Sequence, residues 1–229
     1  MSTAGSLALF DIDGTLMRGA GSHHKLALVE GVRRATGRGT SLDGVPTAGT
    51  LDRDLISEML RTAGESERSI QRILRAAMGE CASSYLENCP GDLSPFLCTG
   101  VVATLAALRA RGVVLGLVTG NLTRIGWKKM ELAGLADFFS VGAFAEDGRS
   151  RTRLAQVAFW RARRLKLVGK NSRVSLIGDH ASDVGAAKAN GFLSIAVATG
   201  VMQYEDLAAT GPDILLHHLG ELDVTCVSG

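Results

Sequence analysis

Asp11 and Asp13 flank a single residue, directly after the apolar run at 7–10, and Gly14 and Thr15 follow them. Two carboxylates that close repel each other unless a cation or a shared proton relieves them. Mg²⁺ is a natural partner, since it takes a few carboxylates together with phosphate oxygens and water. Gly14 lets the backbone turn sharply behind the pair. The plainer alternative is a strand-end turn with solvated side chains. Thr119 ends a second apolar run, 113–118, and precedes Gly120 and Asn121. A hydroxyl beside backbone N–H groups at a helix start can hold a phosphate. The same residues can equally form an ordinary helix cap. A third run, 174–177, ends in Gly178 and Asp179, with Asp183 one helical turn further on. Asp179 can reach a metal. Asp183 can cap a helix, orient a ligand or stand behind the metal ligands.

These residues need elements to position them. The runs at 7–10, 113–118, 174–177 and 194–197, with a weaker one at 138–144, read as buried strands. Helical stretches separate them: 101–110 after Thr99 as N-cap, 122–133, 153–167 and 182–190, with Gly112, Gly134 and Gly191 as stops. Strands alternating with helices predict a parallel sheet, which binds ligands beyond the carboxyl ends of its strands. Residues 19–93 break the alternation and read as helices only. The first covers 22–36, with Leu26, Val29 and Val32 on one side. The second covers 51–63, with Leu55, Ile56, Met59 and Leu60. The third covers 67–87, with Ile70, Ile73, Leu74, Ala77, Met78, Cys81 and Tyr85 at helical spacing. The expected architecture is α/β: a Rossmann-like parallel sheet core from 1–18 and 94–229, and an all-helical domain inserted at 19–93.

Of the 229 residues, 46% are hydrophobic and the net charge is +2, which excludes an intrinsically disordered chain. Lys and Arg total 25 against 23 Asp and Glu, so no basic nucleic-acid surface is expected. No apolar run approaches the roughly 20 residues of a membrane helix. The run at 7–10 is cut short by Asp11 and makes no signal-peptide core, so a cytoplasmic protein is expected. The cysteines form no C-x-x-C pair, and His23, His24, His180, His217 and His218 have no metal-ligand spacing with them. The histidines are expected at the surface or in loops, with His180 near the site by position. Trp127 and Trp160 are expected in the core.

The three stations, in this order, resemble the haloacid dehalogenase (HAD) superfamily. D-x-D-G-T is residues 11–15, the strand ending in a hydroxyl is the one before Thr119, and G-D-x-x-x-D is residues 178–183. The stretch 186–191 also looks like that family, and the helical insert falls where the family carries an α-helical cap. Gly49, Thr50, Leu51 and Asp52 resemble the phosphoglycolate phosphatase-like branch, from which Leu51 departs. The resemblance implies an Mg²⁺-dependent phosphatase that hydrolyses a small phosphorylated metabolite. Asp11 would be the nucleophile and form an aspartyl-phosphate. Asp13 would protonate the leaving oxygen and then activate water. Mg²⁺ would be held by the Asp11 side chain, the Asp13 carbonyl and Asp179, with Asp183 behind them. Thr119, Gly120 and Asn121 would bind phosphate.

The family's third motif, commonly Lys-Pro, is absent. Arg151 is the first choice to supply its cation, since a cation at a helix start is otherwise unfavourable. Lys129 is the rival. Arg18, His23, His24, Lys25, Thr50 and Arg53 are the polar candidates on the cap side. A β-phosphoglucomutase-type phosphotransferase shares the catalytic residues, and a catalytically silent HAD-like binding protein is the alternative from a different class.

Overall fold

The computed structural model describes residues 5–228. The first strand, β1 (Leu7–Phe10), leads into three helices, α1 (Gly21–Thr36), α2 (Asp52–Thr62) and α3 (Glu67–Asn88). Alternation then begins: α4 (Val101–Ala110), β2 (Val114–Val118), α5 (Thr123–Leu132), β3 (Val141–Ala143), α6 (Arg151–Arg164), β4 (Val174–Gly178), α7 (Ala181–Ala189) and β5 (Leu193–Val197). The chain continues through α8 (Tyr204–Ala209), β6 (Ile214–Leu216) and α9 (Thr225–Ser228).

The strands form one parallel six-stranded sheet in the order β3-β2-β1-β4-β5-β6. Leu9 of β1 pairs with Gly116 of β2 on one side and Leu176 of β4 on the other. Helices cover both faces, which is why β1 is apolar at every position and fully buried. Each such large side chain removed from water contributes about 1.5–3 kcal/mol. One face packs Leu7, Leu9 and Leu176 with Leu154, Ala155 and Ala158 of α6. The other packs Ala8, Phe10 and Leu117 with Leu105 and Leu108 of α4. Chain direction across the sheet reverses between β1 and β4, so a crevice opens at their carboxyl ends.

The three helices after β1 bury Leu28, Val32, Leu55, Ile56, Leu60, Ile70 and Tyr85 among themselves. That interior continues into the sheet-facing core through Leu51, Leu122 and Ile125. The insert therefore sits directly against the carboxyl end of the sheet. Helix α1 faces its neighbours differently from the expectation. Leu26 is 66% exposed, while His24, Ala27, Leu28, Gly31 and Val32 are buried. That buried stripe follows the i, i+3, i+4, i+7, i+8 pattern, with a histidine at its head.

Other expectations shift for local reasons. Gly100, at φ 84°, takes the N-cap position of α4 in place of Thr99. Helix α6 starts at Arg151, earlier than 153, because the Ser150 hydroxyl accepts from the Arg153 amide at 3.2 Å. Trp160 lies half exposed under the Arg153 guanidinium rather than in the core. Trp127 is partly buried against Phe144. The half-buried edge strand β6 and the short helices α8 and α9 are additions to the expected elements.

Candidate active site

The carboxyl ends of β2, β1 and β4 are adjacent, and the residues just beyond them meet. Asp11 follows β1, Thr119 follows β2, and Asp179 follows β4. They line a cavity of about 420 Å³ together with Asp13, Asn121 and Arg151. Arg18, His24, Lys25 and Thr50 face the same cavity from the insert side. Gly14 closes the turn after Asp13 at φ +92°, where a Cβ would lie 2.2 Å from the Asp179 carboxylate. Gly200 leaves the same carboxylate room, since a Cβ there would lie 1.7 Å from it. The Thr15 hydroxyl donates to Asp179 at 3.0 Å, and the Thr199 hydroxyl donates to the Gly14 carbonyl at 2.6 Å.

Asp11 sits in a cluster with too few cations. Arg151 Nη1 donates to Asp11 Oδ1 at 3.0 Å and to the Val118 carbonyl at 3.1 Å. Its Nε lies 3.1 Å from Asp183 Oδ1. Oxygens of Asp11, Asp179 and Asp183 all lie within 4.8 Å of one another, and all three residues are buried. Burial and the neighbouring carboxylates push Asp179 up to about 8. Burial also raises Asp183, to about 7, against the pull of Arg151. The Asp11 carboxyl is raised by burial, with Arg151 opposing and Asp13 adding to the shift. Burial works against the Arg151 charge, but the three carboxylates outweigh it and hold the guanidinium protonated. Three ionised carboxylates against one guanidinium leave two negative charges. A divalent cation matches that excess, and the donors are the hard oxygens that Mg²⁺ takes. Asp183 Oδ1 faces the Arg151 guanidinium, and neither Asp183 oxygen accepts a hydrogen bond, so this buried carboxylate has coordination capacity left for a cation.

Asp13 is in the opposite situation. Lys129 Nζ lies 2.7 Å from its Oδ1 and 2.6 Å from its Oδ2, and the Asn121 side-chain amide donates to Oδ2 at 2.7 Å. Burial would raise this carboxyl. The Lys129 charge and the hydrogen bonds from Lys129 and Asn121 outweigh it and hold Asp13 down at about 2. Lys129 is fully buried and also touches His24 Nδ1 at 3.2 Å. His24 Nε2 lies 2.9 Å from Asp52 Oδ2, and the Leu122 amide donates to that same oxygen at 2.8 Å.

The haloacid dehalogenase-like hydrolase family model matches residues 8–188. The chain belongs to that family. A second model, described as HAD-hydrolase-like, matches residues 155–222. Phosphoglycolate phosphatase of Salmonella choleraesuis (strain SC-B67) is 28% identical over 160 residues, which is 70% of this chain and 59% of that protein. Phosphoglycolate phosphatase of Escherichia coli (strain K12) is 27% identical over the same shares of each chain. The match thus spans less than two thirds of these relatives' length. Among solved structures, a predicted phosphoglycolate phosphatase from Haemophilus somnus 129pt has a TM-score of 0.67 at 19% identity and covers 100% of both chains. β-Phosphoglucomutase from Clostridium difficile has a TM-score of 0.67 at 15% identity, covering 98% of this chain and 96% of that one. Both share the fold.

In this HAD-like chain the sequence-marked residues divide. Asp11, Asp13, Thr119, Gly120, Asn121, Arg151 and Asp179 line the cavity. The Thr119 hydroxyl is fully buried and accepts from the Asn121 amide at 3.3 Å. Lys129 is not a cavity residue: it lies behind Asp13, where it cannot meet a substrate directly. It is Arg151, not Lys129, that contacts Asp11. The Asp13 carboxylate is turned to Lys129 and stays outside the acidic cluster, whereas Asp183 belongs to it. On the insert side, Arg18, His24, Lys25 and Thr50 face the cavity and His23 and Arg53 do not. His180 caps α7 by accepting from the Ser182 amide. His24 was expected at the surface, yet it is 9% exposed because it heads the buried stripe of α1. Asp52, 3% exposed, carries no assignment in the sequence beyond its place after Gly49, Thr50 and Leu51. Among the described residues, no helix is long and apolar enough to cross a membrane.

Proposed function

We propose that this chain is an Mg²⁺-dependent phosphatase that hydrolyses a small phosphorylated metabolite through an aspartyl-phosphate on Asp11. One observation carries this reading: a buried carboxylate lining the cavity has a guanidinium on one side and two further carboxylates on the other. Mg²⁺ would be held by the Asp11 side chain, the Asp13 backbone carbonyl and Asp179, with Asp183 beside them, and would supply positive charge against the phosphoryl oxygens.

An Asp11 oxygen forms a bond to phosphorus as the bond to the leaving oxygen breaks. Arg151 keeps the other Asp11 oxygen fixed and balances charge near the transferring group. Thr119 and the backbone at Gly120 and Asn121 orient the phosphoryl oxygens. Asp13 gives a proton to the leaving oxygen. It then takes one from the water that attacks the aspartyl-phosphate. Paired with Lys129 it is a carboxylate, the form needed to take that proton. Donation to the leaving oxygen requires the protonated carboxyl, in which Lys129 can still hold the oxygen that carries no proton.

Residues 19–93 act as the cap that covers the site and excludes bulk water. Its loop at 47–51 rests on the sheet-end loops: a Cβ at Gly49 would lie 2.4 Å from His180, and one at Gly120 would lie 2.8 Å from the Thr50 carbonyl. The phosphatase relatives suggest phosphoglycolate as the first substrate to try. The test is Mg²⁺-dependent release of inorganic phosphate from 4-nitrophenyl phosphate, phosphoglycolate and a panel of sugar phosphates. Release that stops on chelation supports the reading. Transfer between hydroxyls of one sugar without release would replace it with a mutase, and no turnover with any ester would overturn it.

A further inference from the structure

The insert sends two side chains into the core that the phosphatase chemistry does not use. His24 is on α1 and Asp52 is the first residue of α2. Both are buried, and both bond to groups outside the insert. The Asp52 amide donates to the Gly120 carbonyl at 2.8 Å, and the Asp52 carboxylate accepts from the Leu122 amide at 2.8 Å. Asp52 thus spans the loop that carries Thr119, Gly120 and Asn121. His24 connects Asp52 to Lys129, at 2.9 Å and 3.2 Å.

The partners decide where the ring proton lies. The Lys129 ammonium has hydrogens to give and no lone pair, so His24 Nδ1 must accept from it. The ring hydrogen is therefore on Nε2 and is donated to Asp52. The opposite tautomer would set a donor against a donor at Lys129 and a lone pair against a carboxylate at Asp52. Tyr85 of α3 packs edge-on against the ring, with centroids 5.9 Å apart, and keeps it from tilting. Lys129 has no exposed surface, and its partners are all side chains. Its hydrogens go to Asp13 Oδ1, Asp13 Oδ2 and His24.

We propose that His24 and Asp52 are positioning residues: with the insert seated, they aim the Lys129 ammonium, and through it the Asp13 carboxyl, at the reacting oxygen. The proposal rests on the reading of Asp13 as the proton donor and acceptor. Orientation of a working side chain by a hydrogen-bonded partner behind it is worth about 10–100-fold at metal-site histidines, and a similar factor is expected here.

The experiment compares an alkyl phosphate, whose leaving oxygen needs a proton, with 4-nitrophenyl phosphate, whose leaving oxygen does not. With saturating Mg²⁺, kcat/KM for the alkyl ester should fall about 10–100-fold in His24→Phe and Asp52→Ala. The loss with 4-nitrophenyl phosphate should be several-fold smaller. His24→Asn, which keeps an acceptor where Nδ1 stood, should recover part of the alkyl-ester rate. In an Asp13→Ala background the same two substitutions should cause no further loss with the alkyl ester. Thermal melting checks that each variant is folded. Equal losses with both esters, equal losses in both backgrounds, or a change confined to KM would overturn the proposal while leaving the phosphatase reading standing. A wild-type chain that hydrolyses neither ester would overturn the phosphatase reading, and this proposal with it.

Discussion

Asp11 and Asp13 leave the same strand end two residues apart, yet they sit in opposite electrostatic surroundings. Asp13 faces a fully buried lysine that offers it two hydrogens, and its carboxyl is held at about 2. Asp11 shares one guanidinium with Asp179 and Asp183, and carboxyls of that group are raised, Asp179 to about 8. Burial alone pushes both in the same direction. The difference is the count of cations. Beside Asp13 the Lys129 ammonium balances the charge and holds the carboxyl ionised. Around Asp11, three ionised carboxylates against one guanidinium leave two negative charges, the excess that the proposed Mg²⁺ would match. In an extended strand residues two apart share a face; here the chain leaves β1 at Asp11 and turns at Gly14, and that turn sends the two carboxylates to different clusters.

Substitutions at the two positions should therefore differ in kind. Asp11→Asn removes the proposed nucleophile and should give the largest effect, with turnover and any trapped aspartyl-phosphate both falling below detection and the fold retained. Substantial turnover in this variant would assign the nucleophile elsewhere. Asp13→Ala should lower kcat by about 10²–10⁴-fold while Mg²⁺ affinity, read by calorimetry, stays near wild type. A collapse of metal affinity with a normal rate at saturating Mg²⁺ would reverse the roles given to the two carboxylates. Arg151→Ala should cost about 10²–10³-fold, as loss of a group that stabilises transition-state charge does. Arg151→Lys should recover part, because a point charge can still pair with Asp11 but cannot reach Asp183 at the same time. If Lys matches Arg in full, the bridge to Asp183 is irrelevant to the rate.

The sheet and the acidic cluster were legible because they depend on short-range patterns. Four apolar runs, each ending in a polar turn, mark strands whose ends converge in any parallel sheet. Asp11, Thr119 and Asp179 follow directly. Arg151 was legible from an anomaly, a cation at a helix start, which the structure explains by its pairs with Asp11 and Asp183. His24 was legible as a polar candidate on the cap side, but its burial and its pairing with Asp52 and Lys129 were not, for two reasons. The stripe through Leu26, Val29 and Val32 competes with the true one through His24, Leu28 and Val32, and the exposed Leu26 gives the wrong face its weight. The partners of His24 and Asp52 also lie far along the chain, at Lys129 and Leu122, so no local spacing announces them. The short edge strand β6 was lost because three half-buried residues carry too little pattern.

The smallest effect expected is on stability, and it separates the clusters by sign. Unfolded aspartates titrate near 3.8, whereas in the folded chain without metal Asp183 is near 7 and Asp179 near 8. Between those values the folded chain holds protons that the unfolded chain has released, so stability falls as pH rises. The contribution of this pair is fully present below about pH 4 and is lost on passing about pH 7 to 8. Asp13 behaves oppositely: its contribution is present above 3.8 and is lost as pH falls toward 2. From about pH 5 to pH 8 the slope therefore comes from the Asp11 cluster and not from Asp13. The metal-free chain should melt at a lower temperature at pH 8 than at pH 5, with about 2–4 °C lost for each kcal/mol. Added Mg²⁺ should raise the melting temperature more at pH 8, where it meets carboxylates, than at pH 5, where it must displace protons. Asp183→Asn should flatten the metal-free slope, because it removes one titrating group and one repelling neighbour of Asp179. A flat or rising melting temperature in the metal-free wild type would show that the cluster is already compensated, and the contrast between the two carboxylates would not hold.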